Sequence, residues 1–323
     1  MIKPVIIIAG EPNSISSEII FKSWKNRKKF NNKPILVIGS FKLLNSQNKK
    51  LNFNINLKKV DRKLINKNIY KNSLLVYDVD YNQKKPFEKI TIKSNEYIFR
   101  CFEIALNLIK NKKIIGFINC PIAKETLFKK KDQGVTEYLA KKANIKNQEV
   151  MLIYNKNLSV SPITTHIQIK KVAKKITKRK ILNKILTINN FYKKVLKKKP
   201  FIGVLGLNPH SFSSSKKSEE KVTIIPAIKE AKKRKISVFG PISPDSAFVS
   251  YKDSKINVLV GMYHDQVLSP FKSLFKYNAI NITLGLPYIR ISPDHGVGQN
   301  IMGKKIANPQ SLIESIKFFN QIK

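Results

Sequence analysis

The amino-acid sequence predicts an α/β fold built on an open, largely parallel sheet, and three observations lead to that class. Short apolar runs of strand length recur along the whole chain. Segments with the apolar spacing of helices separate them. Turn-forming or polar residues follow the runs. Continuous apolar runs are typical of strands covered on both faces, and alternation with helices is typical of parallel sheets.

Eight apolar runs are predicted strands. The first four are VIIIAG (5–10), PILVIGS (34–40), SLLVYDV (73–79) and IIGFINC (114–120). The other four are EVMLIYN (149–155), FIGVLGLN (201–208), NVLVGMY (257–263) and AINITLG (279–285).

Helical patterns occupy the intervals between these runs. Residues 95–111 carry apolar side chains on one face at helical spacing, which predicts an amphipathic helix. Ser218 indicates a capped start for the segment that follows it, and Pro226 is expected to kink or split that helix. Residues 167–199 are rich in lysine and predict one or two surface helices.

Length and composition restrict the class of protein. The 323 residues are enough for one large domain or two smaller ones with their own cores. The sequence has no run of about 18 uncharged apolar residues, and its first residues lack the features of a signal peptide. We therefore expect a cytoplasmic protein without a membrane partner. Cys101 and Cys120 are the two cysteines, and they predict no disulfide framework.

The net charge of +42 allows two interpretations. A dense positive field attracts phosphate backbones, which would indicate a nucleic-acid binder. However, only six basic residues are arginine, the side chain preferred for phosphate and guanine contacts. The lysines are spread along the chain together with many Asn and Ile residues. Compositional drift is therefore the favoured interpretation, and we expect no specific nucleic-acid partner.

The chain has four histidines, and each follows an apolar run: His166, His210, His264 and His295. Ligands of open α/β sheets bind beyond the C-terminal ends of the strands. A parallel sheet can bring His166, His210 and His264 together as an open metal site of three imidazoles, where a divalent ion acts as a Lewis acid. Their spacings are long and no local metal motif is present. Separate histidines that cap turns or lie in the core are the alternative.

Other polar residues near strand ends also suit a ligand site. Asp245 follows GPISP, while Lys272 and Arg290 are cations suited to a phosphate or carboxylate. Lys272 is one lysine among many, whereas Arg290 is one of six arginines. The sequence contains neither GxGxxG nor GxxxxGK[ST], so a standard dinucleotide or P-loop motif is not supported.

Several short blocks together resemble the 4-hydroxythreonine-4-phosphate dehydrogenase family of vitamin B6 biosynthesis. The most specific are GLNPH ending at His210, YHDQ at His264, and NITLGLPYIR from Asn281 to Arg290. Weaker matches are GEP near Gly10, TEY at Thr136, TTHIQIKKV at His166, EE at Glu219 and GPISPDSAF around Asp245. The blocks occur in the family order along nearly the whole chain.

The resemblance implies a two-domain fold like that of isocitrate and isopropylmalate dehydrogenases, with largely parallel sheets, a cleft between the domains, and a homodimer. The expected division puts residues 1–125 and 280–323 in one domain and residues 126–279 in the other. The implied reaction is oxidation of a phosphorylated small molecule, 4-phosphohydroxy-L-threonine, with NAD or NADP. Decarboxylation to 3-amino-2-oxopropyl phosphate follows, within pyridoxine 5'-phosphate biosynthesis.

The resemblance also implies roles for individual positions. A divalent ion (zinc, magnesium or cobalt) is expected on His166, His210 and His264. The positions that match substrate-binding residues are Thr136, Lys272, Asn281 and Arg290. The expected catalytic residues are Asp245, as the candidate for proton transfer, and Lys272. The loop that resembles the adenosine-binding loop of the wider dehydrogenase group contains Asp294, His295 and Gly296.

The sequence departs from the family pattern at several places. Val135 stands where the family's GHTE block has a substrate-contacting histidine, and AGEPNSISSE lacks two of the usual glycines. Asn119–Lys124 replaces TGPVxK. Two alternatives therefore stay open. One is a dehydrogenase of a related four-carbon sugar-acid phosphate, of threonate or erythronate 4-phosphate type. The other is a non-catalytic homologue.

Overall fold

The structure is a computed structural model, and it describes residues 4–61, 72–111, 114–128, 134–145, 149–211 and 215–322. Its strands are β1 (Val5–Ile8), β2 (Ile35–Gly39), β3 (Leu57–Val60), β4 (Leu74–Asp78), β5 (Gly116–Asn119), β6 (Val150–Tyr154), β7 (Ser159–Pro162), β8 (Ile202–Leu205), β9 (Val238–Ile242), β10 (Val258–Gly261), β11 (Ile280–Leu284) and β12 (Ile289–Pro293). Each of the eight predicted runs contains one of these strands.

The α-helices within the described residues are α1 (Ser16–Lys25), α2 (Phe41–Lys50), α3 (Asn95–Lys110), α4 (Lys124–Leu127), α5 (Val135–Lys142), α6 (Val172–Lys175), α7 (Lys178–Phe191), α8 (Ile225–Lys233), α9 (Pro244–Ala247), α10 (His264–Phe275) and α11 (Gln310–Gln321). A π-helical turn, Glu220–Ile224, precedes α8. Pro226 lies in the first turn of α8, where a missing backbone N–H costs little. None of the helices in these ranges is both long and apolar enough to cross a bilayer.

The chain forms two compact units. Unit 1 comprises Met1–Asn144 and Leu286–Lys323, and unit 2 comprises Ile145–Gly285. The sequence-based division differs at two segments: it assigned residues 126–144 to the second domain and residues 280–285, which include β11, to the first. Helix α5 lies in unit 1 because Val135 and Leu139 are buried in the core of that unit.

Unit 1 contains a parallel sheet with the strand order β3-β4-β2-β1-β5-β12. Every residue of β1 is buried, as expected for a central strand covered on both faces. Ile6 and Ile8 pack with Phe102 of α3 in one hydrophobic cluster. The amphipathic pattern of residues 95–111 therefore buries its apolar face on this sheet.

Unit 2 contains a mixed sheet with the strand order β11-β6-β7-β10-β8-β9. Strands β7, β10, β8 and β9 are parallel, and β6 runs antiparallel to both β7 and β11. The link from β6 to β7 is too short for the crossover that parallel pairing needs. Asn155 shapes this link by accepting the N–H of Asn157 at 2.9 Å. The predicted α/β class with a mostly parallel sheet is confirmed.

Candidate active site

Four predicted site residues follow the four parallel strands of unit 2. His166 follows β7, His264 follows β10, His210 follows β8 and Asp245 follows β9, each within three to five residues of the strand end. Parallel strands present their C-terminal ends at one edge of the sheet. Because β7 neighbours β10 and β8 neighbours β9, the four side chains come to that edge as two pairs.

The first pair is His166 and His264. Their ring centroids are 5.6 Å apart and the rings are inclined by 42°. Two imidazoles that bind one tetrahedral ion at about 2.0–2.1 Å hold their centroids roughly 5 Å apart, so this spacing fits a shared ion. The Nδ1 atom of His264 lies 2.7 Å from Oδ1 of Asp265. A carboxylate on Nδ1 fixes the ring and directs Nε2 towards a ligand.

The second pair is His210 and Asp245. The Nδ1 atom of His210 lies 3.5 Å from Oδ2 of Asp245, and both side chains are exposed. His210 has a left-handed backbone, with φ of 56°. The hydroxyl of Ser243 donates to Asp245 at 2.5 Å, and the N–H of Ser246 donates at 2.9 Å. These hydrogen bonds, together with the nearby imidazole, lower the pKa of Asp245 and keep its carboxylate ionised at neutral pH.

The donor chemistry at this edge fits a divalent metal, although the three imidazoles do not form one cluster. Among the residues that the structure describes, no group of three or more His, Cys, Asp or Glu side chains is arranged to hold an ion. His166 and His264 have the spacing of two ligands, and His210 stands beside a carboxylate. His166 and His210 are exposed and His264 is half-buried, so none of the three imidazoles is enclosed in the core.

A second polar group surrounds Arg290 on β12 of unit 1. The Nε atom of Arg290 donates to Oδ1 of Asn119 at 2.7 Å, and Nη1 donates to Oγ1 of Thr136 at 3.4 Å. The structure thus joins two predicted substrate-binding residues, Arg290 and Thr136. Arg290 is 4% exposed, and burial lowers its pKa to about 10, so the guanidinium stays charged at neutral pH. A desolvated guanidinium is a strong partner for a phosphate or carboxylate.

Asn119 was not among the predicted site residues. It ends β5, where its Nδ2 donates to the carbonyl of Cys120 at 3.2 Å and so fixes the direction of the amide. Val135, which stands at the family histidine position, is buried in the core of unit 1. The search of strand ends that found the histidines could have singled out Asn119, because it is a polar residue near the end of the apolar run 114–120.

The remaining predicted residues lie at separate places. Lys272 is exposed on α10, about 12 Å along the helix axis from His264. Asn281 is half-buried on β11, opposite Ile153 of β6. The three residues predicted to bind the cofactor, Asp294, His295 and Gly296, directly follow β12.

The loop of Asp294, His295 and Gly296 has a defined backbone and an open side. The N–H of Asp294 donates to Oγ of Ser311 at 2.8 Å, and the N–H of His295 donates to the carbonyl of Pro293 at 2.8 Å. A Cβ atom added to Gly296 would meet no heavy atom within 4 Å. The backbone at Gly296 is therefore accessible to a bound molecule such as a nicotinamide cofactor.

Known proteins resemble this chain over nearly its full length. The family described as "Pyridoxal phosphate biosynthetic protein PdxA" matches residues 31–319. A relative from Sulfurihydrogenibium sp. (strain YO3AOP1), named 4-hydroxythreonine-4-phosphate dehydrogenase, is 38% identical, with 98% of this chain and 97% of the relative covered. D-threonate 4-phosphate dehydrogenase from Salmonella typhimurium is 31% identical, with 99% of each covered.

A solved structure of 4-hydroxythreonine-4-phosphate dehydrogenase from Klebsiella pneumoniae has a TM-score of 0.85. It is 26% identical and covers 99% of this chain and 100% of its own. The family resemblance drawn from the sequence motifs is confirmed by these matches. The chain therefore belongs to the pyridoxal phosphate biosynthetic protein PdxA family and is a dehydrogenase.

Proposed function

We propose that the protein oxidises 4-phosphohydroxy-L-threonine with NAD or NADP, and that the product loses CO2 to give 3-amino-2-oxopropyl phosphate for pyridoxine 5'-phosphate biosynthesis. The observation that carries the proposal is the arrangement of His166, His264, His210 and Asp245 at one sheet edge, in a chain of this family. The proposal includes a homodimer and a cytoplasmic location, as the family resemblance and the sequence led us to expect.

A divalent ion of zinc, magnesium or cobalt type is assigned to His166, His210 and His264. When bound, such an ion supplies Lewis-acid stabilisation of negative charge on a substrate oxygen. Asp265 supports this assignment because its carboxylate lies on Nδ1 of His264 and leaves Nε2 for the ion.

Asp245 is assigned as the acceptor of the substrate hydroxyl proton. Its carboxylate is ionised at neutral pH, as an aspartate ordinarily is, and so can accept a proton. The hydroxyl of Ser243 and the N–H of Ser246 orient one carboxylate oxygen, and the other faces His210. Lys272 is the second catalytic candidate, from its position in the family pattern.

Arg290 is assigned to an anionic group of the substrate, with Thr136 beside it and Asn119 holding its Nε atom. Burial of the guanidinium strengthens its attraction for a phosphate or carboxylate, because little water screens the charge. Lys272 and Asn281 are assigned to the same substrate. Asp294, His295 and Gly296 are assigned to the cofactor, for which the open backbone at Gly296 leaves room.

The runner-up substrate is a four-carbon sugar-acid phosphate such as D-threonate 4-phosphate or erythronate 4-phosphate. The Salmonella typhimurium relative carries the D-threonate 4-phosphate name. Val135 keeps this alternative open, because a buried valine stands where the family pattern has a substrate-contacting histidine, next to Thr136. A non-catalytic homologue would bind such ligands without turning them over.

The test follows absorbance of NADH or NADPH with 4-phosphohydroxy-L-threonine, D-threonate 4-phosphate and erythronate 4-phosphate, each with and without a chelator. We expect chelator-sensitive turnover that is fastest with the first compound. His210→Ala should reduce kcat by at least about 100-fold, and His295→Ala should leave zinc affinity unchanged. Full activity in His210→Ala would remove the metal assignment, and absence of turnover with every compound would favour the non-catalytic alternative.

A further inference from the structure

We infer that Gln266 is a positioning residue that fixes the turn bearing His210 relative to the start of the helix bearing His264. The inference rests on the proposed function in one respect: these two histidines are assigned to the metal. The contacts themselves lie within unit 2, and they do not depend on which ligand the histidines bind.

Gln266 joins the exits of two neighbouring strands with one side-chain amide. Its Oε1 atom accepts the N–H of Met262, just after β10, at 2.6 Å. Its Nε2 atom donates to the carbonyl of Gly206, just after β8, at 2.8 Å. The side chain is buried, so both backbone groups depend on this amide and not on bulk water.

Gly261 makes room for this bridge. A Cβ atom added there would lie 2.9 Å from Oε1 of Gln266 and 2.4 Å from Cγ1 of Val267. The last residue of β10 therefore has no side chain where the amide of Gln266 crosses towards β8.

The His210 turn is also held from its other side by Glu220. One carboxylate oxygen of Glu220 accepts the N–H groups of Leu207 and Asn208, each at 2.9 Å. The second oxygen accepts Nδ2 of Asn208 at 2.9 Å. Glu220 fixes the two residues after Gly206, and Gln266 fixes Gly206 itself. Pairing of β8 with β10, and the hydrogen bond from the N–H of Gly206 to the Ile242 carbonyl at 3.0 Å, place the start of this turn. Gln266 adds the side-chain link between the turn and the exit of β10.

The segment leading to His166 attaches to the same residue, Met262. Thr164 donates its hydroxyl and its N–H to the carbonyl of Met262, at 2.8 Å and 3.2 Å. Met262 therefore binds Gln266 through its N–H and Thr164 through its C=O. Loss of the Gln266 amide would remove the side-chain link between the His210 turn and the exit of β10, while leaving the link between the other two segments.

The experiment compares Gln266→Met with Gln47→Met. Gln47 is an equally suitable control because its buried Nε2 donates to Pro12 and Pro86 carbonyls of unit 1 at 2.9 Å and 2.8 Å. Methionine keeps the length of the side chain and removes both hydrogen bonds in each case. Zinc affinity is measured by competition with a fluorescent chelator, and histidine ring signals are recorded by NMR on metal-free protein at one pH. Because the chain has four histidines, each ring signal can be assigned by substituting one histidine at a time.

For Gln266→Met we expect a zinc Kd raised about 10- to 100-fold, the usual effect of removing an outer hydrogen bond from a metal site. The ring signals of His210 and His264 should shift, whereas Gln47→Met should change neither the signals nor the Kd. Gln266→Glu keeps the acceptor for Met262 and loses the donor to Gly206. Gln266→Glu should therefore shift the His210 signal more than the His264 signal. If Gln266→Met does not fold, Gln266→Glu takes its place in the comparison.

Unmoved ring signals in a folded Gln266 variant, or equal loss of zinc affinity in Gln266→Met and Gln47→Met, would overturn the inference. A different result concerns the proposed function alone. If the unsubstituted protein binds no zinc and the signals still shift only on substitution of Gln266, the positioning role stands and the metal assignment fails.

Discussion

The contact between Arg290 and Asn119 allows a quantitative prediction for Asn119→Ala. The substitution removes a 2.7 Å hydrogen bond to a charged donor that is almost fully buried. Hydrogen bonds to charged groups contribute about 1.5–3 kcal/mol, and loss of the acceptor exposes the guanidinium to a desolvation cost of similar size. We therefore expect the free energy of unfolding to fall by about 1.5–3 kcal/mol.

The same change should alter substrate binding. With Asn119 removed, Arg290 keeps its hydrogen bond to Thr136, which has the long distance of 3.4 Å. A less ordered guanidinium binds an anion less tightly, and about 1.4 kcal/mol corresponds to a tenfold change in affinity. The KM for the phosphorylated substrate should rise roughly tenfold or more, while kcat changes less.

Urea unfolding of ligand-free protein and steady-state kinetics measure these two effects. Asn95→Ala is the matched control, because Nδ2 of Asn95 makes one neutral hydrogen bond in unit 1, at 3.1 Å to Thr126. The control should lose about 0.5–1.5 kcal/mol and keep its KM. Stability of Asn119→Ala within about 0.5 kcal/mol of the unsubstituted protein, with an unchanged KM, would refute the reasoning.

Two further predictions concern stability. Burial lowers the pKa of Lys184 from its usual 10.5 to about 8. Between these two pH values Lys184 is protonated in the unfolded chain but largely neutral in the folded protein. The free energy of unfolding should therefore rise with pH from about 8 to 10.5. Lys184→Met should flatten that part of the curve in urea unfolding followed against pH, and an unchanged slope would contradict the assignment. Phe102 is fully buried beneath the sheet of unit 1, so Phe102→Ala should lower the free energy of unfolding by about 3–5 kcal/mol in thermal or urea unfolding. Phe239→Ala, at a residue 54% exposed, should change it by less than about 0.5 kcal/mol, and equal effects of the two substitutions would contradict the burial argument.

The sequence predicted central strands well and edge strands poorly, for a physical reason. β1 is covered on both faces and reads as a continuous apolar run. β3 and β9 lie at the outer edges of their sheets, where β3 carries exposed lysines and β9 contains Gly240 and Pro241. Partial exposure removes the apolar continuity that identifies a strand.

β7 was not predicted from the sequence, for a different reason. Its residues Ser159 and Ser161 are polar in the sequence but fully buried in the sheet. The hydroxyl of Ser161 donates to the Met151 carbonyl at 2.6 Å, and Ser159 accepts from Tyr192 at 3.0 Å. Polar side chains satisfied by hydrogen bonds can occupy a core strand, and their partners cannot be identified from composition alone.

Some residues of the candidate site could also be predicted from the sequence, and others could not. Histidines at strand ends are visible in the sequence, because the position after an apolar run and the chemistry of imidazole both point to a ligand. Gln266 and Asn119 are neutral amides whose roles depend on which backbone or side-chain group they meet. That information belongs to the three-dimensional structure, and no spacing rule predicts it.

The order of the two units along the chain has a consequence for synthesis. Unit 2 is one continuous segment, whereas unit 1 needs its last 38 residues, including β12 and α11, to be complete. All of unit 2 is therefore synthesised before the strand that carries Arg290. Unit 2 can form its core first, whereas the pairing of β12 with β5 in unit 1 spans more than 160 residues of chain. The hydrogen bonds of Arg290 to Asn119 and Thr136 therefore join residues that are synthesised before unit 2 to a strand synthesised after it.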